Sequence, residues 1–263
     1  MERRRYALRL LYDGRRFRGF QRQPGLPTVQ EAVEAGLARL GVEATLEVAA
    51  RTDAGVSAID QVVSFPTRTD LDPAALRRAV NEASPEGIIC LGAARVPATF
   101  HARASALGRR YVYLLGTAPP DGLAPWCWTL PDERAFPGLA SPCLDPGAVR
   151  AALAFAVGEH DFVGFSRPGD QRGTVRTVTR ADVLEAAPEA GALLAVVVEG
   201  RGFLRAMIRN LVGTAAAVGL GLVPPTVVRD LILTRGRYRG VRAPGWGLTL
   251  ASVSYPSGML DWS

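Results

Sequence analysis

One order of secondary-structure patterns fills the first hundred residues and restricts the fold more than any other feature. A strand pattern over residues 6–12 is followed by a helix that starts at Thr28 in a capping-box sequence. Two strands lie on either side of Asp53, and a second helix starts at Asp72, an N-cap residue followed by proline. A strand over residues 87–96 closes the series. The order is β-α-β-β-α-β, which is that of a ferredoxin-like unit.

The second half of the chain carries a similar series with additional segments, including a proline- and glycine-rich stretch over residues 117–146 and a polar loop over residues 167–176. We therefore predict an α+β fold of two ferredoxin-like halves, residues 1–104 and 105–263, whose antiparallel sheets join and leave a cleft at the seam. The predicted elements of the second half are a strand at 108–115, a helix from Asp145, strands at 175–184 and 193–199, helices at 203–218 and 224–233, and a strand at 247–255.

The composition is that of a globular protein without a metal site. Hydrophobic residues make up 48% of the 263 residues, but no apolar run reaches the length of a membrane span and no signal-peptide pattern begins the chain. The three cysteines have no metal-ligand spacing, and only two histidines accompany them. We therefore expect no metal and a reduced, cytoplasmic location.

The basic charge points to a polyanionic partner, nucleic acid before membrane. The net charge is +6, and all 31 basic residues are arginines, most of which genomic base composition would explain. The loop over residues 13–25 differs, because it interleaves four arginines with Phe17 and Phe20. This mixture suits phosphate contact and base stacking, or equally a solvated loop with both rings turned inward. The arginines predicted to contact RNA are Arg15, Arg16, Arg18, Arg22, Arg103, Arg109 and Arg110.

Asp53 is the leading candidate for chemistry, because the chain offers no catalytic triad, no cysteine in a basic motif and no phosphate-cradling glycine pattern. On local pattern alone, its sequence context favours an ordinary turn. Arg209 lies at the edge of an apolar helix face, where it could reach a cleft or remain at the surface. Tyr111 could stack on a base or belong to the core.

Eight short motifs occur in order along the chain and together resemble the TruA family of tRNA pseudouridine synthases. The resemblance extends from residue 6 to about residue 250. The motifs are Tyr12-Asp13-Gly14, Gly19-Phe20-Gln21-Arg22-Gln23, Val29-Gln30-Glu31, Arg51-Thr52-Asp53-Ala54-Gly55-Val56, Gln61-Val62-Val63, Phe100-His101-Ala102-Arg103, Arg109-Arg110-Tyr111-Val112-Tyr113 and Met207-Ile208-Arg209-Asn210.

The resemblance implies a cytoplasmic homodimer that isomerises uridine to pseudouridine in the anticodon stem-loop of tRNA, at positions 38, 39 and/or 40, without metal or organic cofactor. It also implies the role of each matching residue. Asp53 corresponds to the catalytic aspartate, Tyr111 to the tyrosine that stacks on the uracil, Arg209 to the arginine paired with the aspartate, Arg51 to the arginine that enters the stack, and Leu248 to the apolar residue against the base.

Two positions depart from the family pattern, and two other functions remain open. Ala50 stands where the family often has glycine, and Ser57 where it often has histidine, so no role in RNA contact carries over from that histidine. A non-catalytic RNA-binding protein would explain the arginines but not the corner at Asp53, which is the turn between the two predicted strands on either side of this residue. A carboxylate-based hydrolase would need a second acid, for which Asp60 is the nearest candidate.

Overall fold

The chain forms two compact units. The computed structural model describes residues 4–139, 143–166, 173–186, 192–236 and 240–262, so most of the predicted polar loop at 167–176 and a part of 117–146 lie outside the described residues. One unit consists of Met1–Arg109 with Thr249–Ser263, and the other of Arg110–Leu248. The predicted boundary at 104/105 lies close to the first junction, but the closing strand belongs largely to the first unit. Within the described ranges, no helix is both long and apolar enough to cross a membrane.

The order of the elements agrees with the sequence patterns through the first hundred residues. Two short strands in the second unit, one of them within the proline-rich stretch, were not expected. In chain order the elements are β1 (Arg4–Tyr12), α1 (Val29–Ala38), β2 (Glu47–Val48), β3 (Ser57–Thr67), α2 (Pro73–Ala83), β4 (Ile88–Val96), β5 (Gly108–Gly116), β6 (Cys127–Thr129), α3 (Pro146–Ala154), β7 (Gly158–Asp161), β8 (Val175–Glu185), β9 (Leu194–Gly200), α4 (Met207–Gly219), α5 (Val227–Thr234) and β10 (Leu248–Ser254).

The strands are mostly antiparallel, and the fold is mixed α/β. In the first unit, β1 lies between β3 and β4 and is antiparallel to both. Strand β2 is antiparallel to β3, while β10 runs parallel to the start of β3, with Thr249 opposite Ser57. In the second unit, β8 is antiparallel to β7 and β9, β9 lies next to β5, and β6 is parallel to β5.

Both proline-flanked helix starts are confirmed, but the capping box at Thr28 is wrong. The Asp72 carboxylate accepts hydrogen bonds from two amides of the first turn of α2, and Asp145 does the same for α3. Thr28 makes no side-chain cap bond. Instead, the carbonyls of Gly19 and Phe20 accept from the first two amides of α1, at 3.3 and 2.9 Å. The loop before α1 is therefore attached to the helix by its backbone.

The apolar helix predicted over residues 203–218 begins later, at Met207. Ala206, at its N-cap, has the left-handed φ of 62°, a conformation that costs a residue other than glycine free energy. Arg205, which falls inside the predicted helix range, therefore lies in the turn before α4, whereas Arg209 is on the helix.

Glu47 connects three segments of the first unit. It accepts hydrogen bonds from Arg5 and, at 2.7 Å, from Ser64 Oγ, and His101 Nε2 lies 3.8 Å from its other oxygen. Burial is the largest single effect on the pKa of Glu47 and raises it. The hydrogen bonds from Arg5 and Ser64 and the charges of Arg5 and His101 together outweigh burial and bring this pKa below its usual value.

We expect Glu47→Gln to lower the free energy of unfolding at neutral pH by about 1–2 kcal/mol, because it removes a charge-assisted hydrogen bond. The folded pKa of Glu47 is lowered, so its stabilising effect is complete above the ordinary value of 4.5 and is lost as the pH falls through the lowered one. Urea unfolding should therefore show a constant gap to wild type above about pH 5.5 that shrinks below it.

Glu86→Gln is the matched control for this prediction, because the Glu86 side chain is 84% exposed and pairs only at the surface with Arg16. A gap for Glu47→Gln that stays unchanged at acid pH, or that is no larger than the gap for Glu86→Gln, would contradict the assignment.

Candidate active site

Asp53 begins a tight turn between β2 and β3. The Val56 amide donates to the Asp53 carbonyl at 3.1 Å, and Gly55 supplies the positive φ of 82° that the turn needs. Thr52 and Val56 are buried, whereas Asp53 is partly exposed. The turn interpretation is therefore confirmed, and the turn places Asp53 at the edge of the core.

Two glycines of the preceding loop allow its backbone to touch this turn. A Cβ atom on Gly14 would lie 2.0 Å from the Val56 carbonyl oxygen, and one on Gly19 would lie 3.1 Å from the Thr52 carbonyl oxygen. The Gly14 amide donates to Ser57 Oγ at 3.0 Å. Ser57 thus binds the loop that carries the Tyr12-Asp13-Gly14 motif.

A buried network of polar side chains lies behind the turn. Gln61 Nε2 donates to the Ala50 carbonyl at 2.7 Å and to the Tyr12 hydroxyl at 3.1 Å, and Gln61 Oε1 accepts from the Ala50 amide at 3.2 Å. The Tyr12 hydroxyl lies 2.8 Å from Thr52 Oγ1. Burial raises the pKa of Tyr12 to about 12, although its hydrogen bonds with Thr52 and Gln61 act in the opposite direction. The hydroxyl is therefore protonated at neutral pH.

The two aromatic residues of the loop over residues 13–25 point into the core. Phe17 and Phe20 are 5% and 1% exposed, and the Phe20 ring centroid lies 6.4 Å from that of Tyr12. These rings therefore fix the loop and do not offer a stacking platform, which resolves the alternative that the sequence left open.

The arginines of this loop are exposed, and three of them have carboxylate partners. Arg15 contacts Asp13 at 2.7 Å, Arg16 contacts Glu86 at 3.0 Å and Arg22 contacts Glu34 at 2.6 Å. The hydrogen bond from Arg15 is the main reason that the pKa of Asp13 is lowered. Arg18 is also exposed.

The remaining candidate arginines occupy contrasting environments. Arg103 is exposed, and Arg110 is exposed with its Nε 2.9 Å from Glu199. Arg109 is only 8% exposed: its Nε and Nη2 donate to the Ala49 carbonyl at 3.2 and 2.8 Å, and Nη2 also donates to the Arg103 carbonyl at 2.9 Å. Arg109 thus holds the backbone that leads into the corner at Asp53.

The second unit contains Tyr111, Arg209 and Leu248. Tyr111 is buried, and its ring lies edge-on to that of Phe203 at 5.6 Å between centroids. Arg209 is partly exposed and donates from Nε to the Ala243 carbonyl at 2.7 Å. Leu248 is buried at the start of β10. The contacts with Phe203 and Ala243 fix the orientation of both polar side chains.

In each unit, buried polar residues to which the sequence assigned no role lie next to a candidate residue. Asn210 donates to the Phe165 carbonyl at 2.7 Å and accepts from Arg242 at 3.1 Å, which attaches neighbouring loops to the start of α4. Tyr12 and Gln61 act similarly behind Asp53. The available signal was a polar group at a buried position of an otherwise apolar strand or helix. Among the described residues, no group of three or more histidine, cysteine or acidic side chains lies close enough together to hold a metal.

Comparison with known proteins identifies the family. The sequence pattern of the family described as tRNA pseudouridine synthase matches residues 10–103 and 152–256. A protein of Frankia casuarinae named tRNA pseudouridine synthase A is 41% identical, with 96% of this chain and 89% of that protein covered. A protein of Neisseria gonorrhoeae with the same name is 40% identical over 97% of this chain and 93% of its own length. The chain therefore belongs to the TruA family of tRNA pseudouridine synthases, which are isomerases.

Among solved structures, a complex of Cbf5, Nop10 and Gar1 matches with a TM-score of 0.33 and 18% identity, over 80% of this chain and 45% of the matched chain. At that level of likeness, the family assignment rests on the sequence relatives.

We expect Arg109→Met to lower the free energy of unfolding by roughly 2–3 kcal/mol, because it leaves buried carbonyls without their charged donor. Arg110→Met should change it by less than about 1 kcal/mol, since it removes only an exposed ion pair. Urea unfolding of the two variants beside wild type measures the difference. Equal losses for these neighbouring arginines would contradict the structural role of Arg109.

Proposed function

We propose that this protein isomerises uridine to pseudouridine in the anticodon stem-loop of tRNA, at positions 38, 39 and/or 40, with Asp53 as its catalytic residue. Family membership over nearly the whole chain supports the reaction class. The observation that carries the role of Asp53 is its setting: the backbone on both sides of it is hydrogen-bonded, at Thr52 from the Phe20 amide and at Gly55 to the Phe17 carbonyl, while the residue itself stays partly exposed.

The reaction rearranges bonds without net oxidation or reduction. The bond from the ribose C1′ to the uracil N1 breaks, the uracil turns, and a bond forms from C1′ to C5. The hydrogen of C5 leaves as a proton, and N1 ends with a hydrogen. Such a reaction needs a carboxylate beside the ribose or the base, which is the function we assign to Asp53.

The separated uracil must be retained while it turns, and we assign this function to residues of both units. Tyr111 stacks on the uracil, Leu248 contacts it from an apolar position, and Arg209 pairs with Asp53. Arg51, which is exposed next to Thr52, enters the base stack that the uridine leaves. Extruding a nucleotide costs a few kcal/mol, which stacking and backbone contacts offset. The fixed orientations of Tyr111 and Arg209 support these roles, because a preset side chain loses less entropy on binding.

We propose that the exposed arginines contact the phosphates of tRNA. Exposed ion pairs such as Arg16–Glu86 contribute only about 0–1 kcal/mol, so a phosphate can replace the carboxylate at little cost. Arg109 is left out of this set, because its guanidinium is buried on backbone carbonyls. The proposed contacts are Arg15, Arg16, Arg18, Arg22, Arg103 and Arg110.

The family resemblance also supports a cytoplasmic homodimer, two ferredoxin-like halves with a cleft at their seam, and catalysis without a cofactor; these remain part of the proposal.

The two other functions have weaker support. An RNA-binding protein without catalysis would leave the hydrogen-bonded corner at Asp53 without a purpose. A hydrolase would need Asp60 as a second acid, but one oxygen of Asp60 accepts from Arg9 at 2.7 Å and the other from the Val253 amide at 3.2 Å. Asp60 is thereby committed to holding strands together.

The proposal is tested with tRNA that carries tritium at C5 of its uracils, because only the isomerase releases this hydrogen. Wild type should release tritium, whereas Asp53→Asn should lose at least about 10³-fold in rate and bind tRNA with nearly unchanged affinity. Asp70→Asn is the control: Asp70 is an exposed acid of the same unit, and its loss should leave release unchanged. No release by wild type would exclude the isomerase, and near-normal release by Asp53→Asn would exclude that residue as catalytic.

A further inference from the structure

We infer that the Tyr12 hydroxyl and the Gln61 carboxamide are positioning residues for Asp53, an inference that rests on the proposed function. The two side chains come from neighbouring strands, β1 and β3, and meet beneath the turn that carries Asp53. They bind Ala50 and Thr52, the residues on either side of Arg51. Neither residue needs to contact the substrate to act in this way.

The hydrogen bonds around Gln61 have one consistent direction. The Ala50 amide must donate, so the Gln61 atom that it contacts is the carbonyl oxygen, and the other atom is the amide nitrogen. This nitrogen gives one hydrogen to the Ala50 carbonyl and the second to the Tyr12 oxygen. The Tyr12 hydroxyl then has its own hydrogen available for Thr52 Oγ1. A relay of donors therefore leads from β3 through β1 to the residue before Asp53.

The relay is buried, which makes it strong and sensitive to any missing member. Gln61, Tyr12 and Thr52 are 0%, 2% and 7% exposed. Hydrogen bonds reinforce one another where water is excluded, but a member without its partner is costly there. Removing one hydroxyl should therefore loosen the whole segment before Asp53, because it leaves Thr52 Oγ1 or one hydrogen of Gln61 Nε2 without a partner.

A Tyr6→Phe variant distinguishes a positioning role of Tyr12 from a general loss of stability, because Tyr6 is a close structural match to Tyr12. It lies on the same strand and the same buried side, with 0% exposure. Its hydroxyl also makes two hydrogen bonds, to Asp70 at 3.2 Å and from the Leu71 amide at 2.9 Å. The segment it holds, however, leads into α2 and not to Asp53. Tyr6→Phe and Tyr12→Phe thus remove equivalent groups with different connections.

The experiment measures tritium release under single-turnover conditions with saturating enzyme, together with the affinity for tRNA and the urea stability of each variant. Misplacing a reacting group by about 1 Å can cost about 100-fold in rate. Tyr12→Phe should therefore lose about tenfold or more in rate with affinity within about twofold of wild type. Tyr6→Phe should keep the wild-type rate while losing a similar amount of stability. Equal rates for the two variants would overturn the inference.

Variants of Thr52 test the same relay if Tyr12→Phe fails to fold. Thr52→Ser keeps the hydroxyl and should retain most of the rate, whereas Thr52→Val keeps the shape without the hydroxyl and should lose about tenfold. Equal rates for the serine and valine variants would contradict the relay. A wild-type enzyme that releases no tritium would instead contradict the proposed function, so the two failures are distinguishable.

Discussion

The hydrogen bonds from Gln61 and Tyr12 to the segment before Asp53 are the constraint on which the candidate site depends. Both groups sit among apolar residues of paired strands, where an unsatisfied polar atom would cost several kcal/mol. They are satisfied only when residues 50–52 follow one path. The core and the loop that carries Asp53 therefore stabilise each other, because strand pairing restricts the path of residues 50–52.

Apolar periodicity predicted the strands and helices well, because burial drives their formation. It could not predict features that depend on tertiary contacts. The apolar pattern typical of a helix extends back to residue 203, but the helix begins only at Met207, because Ala206 takes a left-handed conformation that no local pattern predicts. At Thr28, the carbonyls of a neighbouring loop replace the expected side-chain cap. In both places tertiary contacts override the preference of the local sequence.

The candidate site residues divide in the same way. Asp53 was predicted from its motif, but Tyr12 and Gln61 were not assigned roles, because a polar group in a buried strand has no visible partner in the sequence. Arg109 and Arg110 show most clearly what the sequence does not reveal, since adjacent identical residues point to opposite sides of a strand. Only the structure reveals which side is buried, and hence which arginine is available to phosphate.

The most direct test of the central claim is to map pseudouridine in tRNA from cells that lack this protein, and again after the wild-type or the Asp53→Asn gene is returned. We expect pseudouridine to disappear from one or more of positions 38, 39 and 40, and only the wild-type gene to restore it. Unchanged pseudouridine at all three positions, or full restoration by the Asp53→Asn gene, would contradict it.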